Sequence, residues 1–279
     1  MRTLRIVILA LFPLAWPAMA EQRDPSLLAC ETQATQNWIA EAFAGSEVLN
    51  GAMEGRVEVK APAVIRDATL ERARIGFSLR HGPEGTERRV AFVNVAVTDM
   101  QSHDRYGAAI TTHRKDPGLS VFLSDVALHP GWPIWESYET TNYDAITLDA
   151  AEALYAQAVT IIDWNADAAI DSKGQTTQLV DVAISGNGNR PLRLWRPGPH
   201  YLVHSSIEKP GGGTLIWLKD CDRTRLRIFA SRFNGADRLS ADQVSCDQGT
   251  FPHIEYLPND PRQTGDMHPV FEVCPKSVD

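Results

Sequence analysis

Apolar residues along this chain come in short runs that alternate with polar residues and seldom recur at helical spacing. The stretch GGGTLIWLKDCDRTRLRIFASRFNGAD (211–237) shows the habit. Leu215–Leu218 and Leu226–Phe233 are each too short for a helix, and only a polar segment separates them, with no tight hairpin signal. The pattern recurs. TQLVDVAISGNG (177–188), PHYLVHSSIEKPG (199–211) and RLRIFASRFNGAD (225–237) are β-type runs that end on turn-prone residues. Ile184, Ile207 and Phe233 occupy matching places, 23 and then 26 residues apart. Between them lie shorter runs, AAID (168–171), LRLW (192–195) and LIWLK (215–219), in which Ile170, Leu194 and Leu218 fall 24 apart. RVAFVNVAVTD (89–99), SVFLSDVALHP (120–130) and VIRDATLERARIGF (64–77) continue the series toward the N-terminus with longer insertions.

A period in the low twenties with several short strands per period predicts that each strand pairs with its counterpart one period away. The expected class is all-β, a right-handed parallel β-helix, with a regularly spaced antiparallel sandwich as the alternative. Two helices are expected. One spans 24–45, with Asp24 as N-cap, Pro25 in the first turn and Leu28, Trp38, Ile39 and Phe43 as its apolar stripe. It is expected to cover an open end of the β domain. The other, LDAAEALYAQAV, is expected over Asp149–Ala158 as an insertion. The Pro-rich tail 238–279 reads as an irregular C-terminal cover, so the β domain is expected over 21–237.

The runs LVDVAISGNG, LVHSSIEK and LIWLKDCDRTRLRIFASRFNG, with their spacing, resemble the right-handed parallel β-helix proteins of the pectate lyase and polygalacturonase type. The resemblance covers about 63–237 and is clearest over 158–237. It implies a fold and says little about an activity. The catalytic signatures of those enzymes are absent: no paired aspartates with a Gly-His-Gly turn, and no lyase arginine motif. Whether the chain is an enzyme, a lyase or a glycoside hydrolase, is left open at this point.

Two faces carry candidate chemistry. With Ile170, Leu194 and Leu218 inward, Asp171, Arg193, Trp195, Trp217 and Lys219 point outward together. Aromatic rings stack on sugars and cations pair with acidic groups, so Trp195, Trp217, Arg193 and Lys219 are candidate substrate-binding residues. With Ile184, Ile207 and Phe233 inward, Asp181 and His204 point out one period apart, beside Arg232, with Asp163 from the period before. Carboxylate, imidazole and guanidinium in one patch are the materials of acid–base chemistry, so Asp163, Asp181, His204 and Arg232 are candidate catalytic residues. Asp163, Asp167 and Asp181 are the only grouping that offers the two or three carboxylates of a glycosidase. The segment HPGWPIWESYETTNYD (129–144) is stiffened by prolines. Its Trp132 and Trp135 are expected either to wall a binding groove or to pack within their own loop. Each of these faces has a plain alternative as a solvated or loop-covered β surface.

Charge and cysteines narrow the setting. Arg2 and Arg5, the apolar run Ile6–Leu14 and Ala18-Met19-Ala20 form an export signal with cleavage expected after Ala20, so the protein is expected in the periplasm or outside the cell. The formal charge of −8 argues against nucleic acid as a partner. Four cysteines suit an oxidising compartment. They permit three pairings; Cys246–Cys274 is favoured because it would tie down the tail, leaving Cys30 and Cys221 to pair or stay free. None shows C-x-x-C spacing and the histidines are scattered, so no metal or cofactor is expected. The expected partner is a polysaccharide or other carbohydrate. The alternative is a non-catalytic interaction module.

Overall fold

The computed structural model describes residues 23–102 and 104–275; the expected signal 1–20 and its cleavage site lie outside the described residues. The described chain is mostly β, with one α-helix, Pro25–Ala42. Its strands form two sheets of eleven and eight strands, and the neighbours within each sheet run parallel. The chain alternates between them. Glu47–Glu54 enters the larger sheet, Val57–Lys60 the smaller and Ala63–Glu71 the larger again. The alternation continues to Val244–Gln248 in the smaller sheet and His253–Tyr256 in the larger. Each strand therefore bonds to the next strand of its own sheet, after one pass through the other. This explains the missing hairpin turns.

Register follows the hydrophobic pattern. Ile184 pairs with Ile207, and Ile207 with Phe233, as their spacing predicts. In the smaller sheet Ile170 pairs with Leu192, and Leu194 pairs with Ser172 on one side and Leu218 on the other. The Ile170–Leu194 alignment expected from a 24-residue period is thus offset by two residues there. Such a slip keeps every side chain on its face, so alternation alone does not reveal it. The inward residues of both sheets, from Val59 to Phe233, make one continuous apolar core.

A second feature organises the larger sheet. Asp67, Asn94, Asp125, Ala158, Asp181, His204 and Ala230 all have φ between 45° and 57°. The flanking pairs place these residues in register from strand to strand. The chain therefore bends at the same left-handed position on seven successive passes through this sheet, from Ala63–Glu71 to the pass that carries Ala230. Asn, Asp and His are enriched among the non-glycine residues that adopt this conformation.

Three expectations are corrected. The stretch 149–158 is not a helix: Ala153–Trp164 is a strand of the larger sheet. Alanine, leucine and glutamine give it helical propensity, but Leu154, Ala156 and Val159 point into the core while Ala158 takes the left-handed bend. Tertiary pairing overrides propensity. The N-terminal helix ends at Ala42 and does not sit on an end of the β domain. Ile39, Phe43 and Trp38 pack with Phe122, Tyr155 and the tail residues Val270 and Phe271 over the outer face of the larger sheet. Asp24 does cap it, accepting from the Ser26 backbone N–H at 2.8 Å. The tail is not wholly irregular either, since Val244–Gln248 and His253–Tyr256 extend the two sheets.

The disulfides also differ from expectation. Cys30 bonds to Cys274 and Cys221 to Cys246. Cys246 pairs in register with Leu218, which leaves it beside the turn that carries Cys221. Cys274 reaches the helix across the face that the tail covers. Two disulfides, and no helix among the described residues long and apolar enough to cross a membrane, are compatible with a secreted protein.

Ala158 is an L-residue without a polar side chain in a conformation that costs about 1 kcal/mol relative to glycine. Ala158→Gly is expected to raise the unfolding free energy by about 1 kcal/mol in urea titration. A fall would contradict the left-handed bend.

Candidate functional site

Three of the four residues predicted to be catalytic, Asp163, Asp181 and His204, have the left-handed backbone just described; Arg232 does not. Asp181 and His204 are adjacent members of the left-handed column, and both are occupied by the chain termini. Arg23 donates to Asp181 and sits 2.5 Å from Glu31. Arg262 pairs with Glu31 and, at 2.6 Å, with Asp260. His204 lies 3.7 Å from Asp260. Burial of Asp181 raises its pKa, and the charge of Arg23 opposes the rise. Burial also disfavours ionised Asp260, but His204 and Arg262 outweigh it and hold that carboxyl well below its usual range. This network clamps the helix and tail to the sheet. Asp163 is another left-handed residue, 84% exposed and 3.9 Å from His129. Arg232 faces Asp237 at 3.7 Å. Among the described residues, no hydrogen bond or ion pair joins Asp163, Asp181 and Arg232.

The predicted binding face is brought together, but Trp217 and Arg193 are buried in it, under neighbouring side chains and the Tyr138 loop, so of the strand residues predicted to bind only Trp195 and Lys219 present surface. Thr147, Asp171, Arg193, Trp217 and Ser245 stand in register on the outer face of the smaller sheet. Lys173, Trp195 and Lys219 follow two residues along. Trp195 and Trp217 lie 4.9 Å apart between ring centroids, inclined at 60°. The ammonium groups of Lys173 and Lys219 sit 5.1 and 5.3 Å from the Trp195 ring, and Arg190 lies 5.6 Å from the Trp217 ring. The indole N–H of Trp195 donates to Asp171, which also accepts from Lys173 at 3.0 Å. Lys173 is shared with Asp149 at 2.5 Å, and Lys219 with Asp247 at 2.5 Å. The rings are thus fixed from below and flanked by cations.

Beneath the 129–141 segment lie residues the sequence reading did not assign to this face. Asp144 is buried, accepting from the Ala168 backbone N–H at 2.9 Å and the Thr147 hydroxyl at 2.5 Å. Asp167 is buried, accepting from Asn189 at 2.8 Å and from Arg193. Arg193 also donates to the Tyr138 hydroxyl at 2.9 Å, so the loop closes over the pair. One oxygen of Asp167 and Nε of Arg193 are buried without a partner. Trp132 is a packing residue, stacked on Tyr143 at 4.8 Å. Trp135 is half-buried and meets Tyr138 edge-on at 5.0 Å. A signal for these contacts existed. The bonds Asp144–Ala168, Asp149–Lys173 and Asp171–Trp195 each span 24 residues, so polar positions repeat with the same period as apolar ones.

Burial, reinforced by the charges of Asp171 and Asp167, pushes the Asp144 carboxyl up to about 8. A protonated acid near a carboxylate is the pairing that general acid catalysis uses. Here, however, both Asp144 oxygens are committed to internal donors and the side chain is closed off. The arrangement is a rigid, charged floor for the aromatic pair. Comparison with protein-family models, curated proteins and solved structures finds no match.

The raised carboxyl has a consequence for stability. In the unfolded chain Asp144 ionises near 3.8; in the fold it keeps its proton to about 8. The folded state binds the extra proton between those values, so this group's contribution falls as pH rises from about 4 to 8. Asp144→Asn removes that slope. The unfolding temperature of the variant, relative to the parent, is expected to climb between pH 5 and 8. A constant difference would contradict the assignment.

Proposed function

We propose that this is an exported right-handed parallel β-helix protein that binds saccharide through the Trp195–Trp217 face without cleaving it. The alternation between two parallel sheets supports the β-helix, and crossovers between parallel strands are right-handed in nearly all folds. The basic, apolar and small-residue order of 1–20 and the two disulfides support export. The observation that carries the binding reading is the partly exposed Trp195 ring, backed by the buried Trp217 ring 4.9 Å away, flanked by Lys173 and Lys219 and anchored by Asp171. Flat apolar ring surface beside fixed hydrogen-bonding groups suits a sugar, whose ring has an apolar face and a polar rim. Non-catalytic binding is favoured because Asp144 and Asp167 are enclosed and the exposed Asp163 stands apart.

The test is titration of the chain 21–279 with a polysaccharide panel. Tryptophan fluorescence and calorimetry read binding, absorbance near 235 nm reads unsaturated products, and reducing ends read hydrolysis. One polymer is expected to quench fluorescence with no product formed. Trp195→Ala is expected to weaken binding roughly tenfold, the scale of one lost aromatic contact, and its unfolding curve checks that the fold survives. Product formation would overturn the non-catalytic reading. Binding unchanged in Trp195→Ala would overturn the site.

A further inference from the structure

The turns that carry the chain from the smaller sheet into the larger one all lie along one corner of the molecule, and two cavities open there. One, of about 570 Å³, is lined by Arg223, Arg225, Arg227 and His253, with Asp222, Glu255 and Pro197. The other, of about 300 Å³, is lined by Arg88, Lys173 and Arg196, with Glu152 and otherwise uncharged residues. The two meet at consecutive residues, Arg196 and Pro197. Arg225 stands in register with His253, so the cationic positions continue from strand to strand.

Several of these cations are uncommitted. Arg227 is paired with Glu255 at 3.0 Å and Lys173 with Asp149 and Asp171. Among the described residues, by contrast, Arg88, Arg196, Arg223 and Arg225 have no carboxylate within ion-pair distance, and all four are exposed. Oδ1 of Asp222 accepts the backbone N–H groups of Thr250 and Phe251 at 2.9 Å each, which turns this carboxylate toward the following strand. His253 Nε2 lies 3.0 Å from the Asp222 carbonyl oxygen, which that nitrogen serves as donor. A chain of formal charge −8 thus leaves four arginines free along one line.

We propose that this corner is a binding track for a linear anionic saccharide whose charge is carried by oxyanion groups. Guanidinium forks match carboxylate, sulfate and phosphate-ester oxygens. Glu152 and Glu255 beside them accept hydroxyl protons, which a saccharide supplies along its length. Apart from the His253 imidazole, which is held by the Asp222 carbonyl, the lining holds no aromatic ring on which nucleic acid bases would stack. From the strand that follows Arg88 to the one that begins at His253 there are six strand-to-strand steps in the larger sheet. At about 4.8 Å each the track is about 29 Å long, which fits an extended polymer better than a single small ion. Lys173 is common to this surface and the Trp195–Trp217 face, but the four unpaired arginines belong to this surface alone.

Calorimetry on the chain 21–279 tests this, with inorganic sulfate, sulfated oligosaccharides of graded length, uronate oligomers and an oligonucleotide, each in 50 and 200 mM salt. Affinity is expected to rise with saccharide length until about 29 Å is spanned, and to fall at the higher salt. The sulfated and uronate series distinguish the two sources of the anion. Arg223→Ala/Arg225→Ala and Arg88→Ala/Arg196→Ala are each expected to weaken binding at least tenfold. Saccharide binding that is lost in Trp195→Ala and kept in both arginine variants would belong to the sugar-stacking face and would overturn the track, whereas loss in the arginine variants with the Trp195→Ala protein still binding would separate the two surfaces. Failure of both saccharide series would overturn the proposal. So would inorganic sulfate binding as tightly as the oligomers, tighter binding of the oligonucleotide, or indifference to the arginine substitutions.

Discussion

Everything in this molecule depends on a left-handed bend repeated in register. A parallel strand whose partner lies one pass away has no hairpin to set its alignment, so the alignment has to come from the strand itself. Inward apolar residues supply part of it, but a two-residue slip leaves them all inward. The bend removes that freedom: Asp67, Asn94, Asp125, Ala158, Asp181, His204 and Ala230 occupy one line across the larger sheet. A strand shifted by two would place an ordinary residue where the backbone must turn left, at about 1 to 2 kcal/mol for each such residue.

Alignment in one sheet sets the chemistry of the other. Because neighbouring strands stay in register whatever the length of the pass between them, side chains on the outer face of the smaller sheet stack into columns. Asp171, Arg193 and Trp217 share a column, and Lys173, Trp195 and Lys219 the next. Opposite charges and aromatic rings then meet between strands. The same stacking forces Asp144, Asp167 and Asp171 close together under the Tyr138 loop, where one carboxyl keeps its proton. Arg193 and Lys173 balance the remaining charge.

Much of the fold was legible, and the losses have physical causes. Ile184, Ile207 and Phe233 were readable as one line because each closes a strand before a turn. The outward set Asp171, Arg193, Trp195, Trp217 and Lys219 followed from alternation. Asp181 and His204 were readable as a repeated polar position. What repeats there is a backbone conformation suited to Asp, Asn and His, and nothing in a single sequence separates that from a catalytic pair. The 149–158 stretch misled because its small residues serve a crowded sheet as well as a helix. The Cys30–Cys274 bond was hidden because it depends on where the helix and tail lie on the outer face, which strand periodicity does not encode; Cys221–Cys246 was missed because the tail was not read as a strand of the smaller sheet.

The most direct test of this architecture is a distance along the bend. Asp67 and Ala230 are exposed members of the same line, six strand steps apart. Spin labels at Asp67→Cys and Ala230→Cys, measured by pulsed electron resonance, are expected about 29 Å apart, and labels at Asn94→Cys and Ala230→Cys about 24 Å, from steps of about 4.8 Å. Both distances shrinking or growing together as the step count requires would support the in-register parallel arrangement. A pair that departs from that proportion, as strands folded back on one another would give, would contradict it.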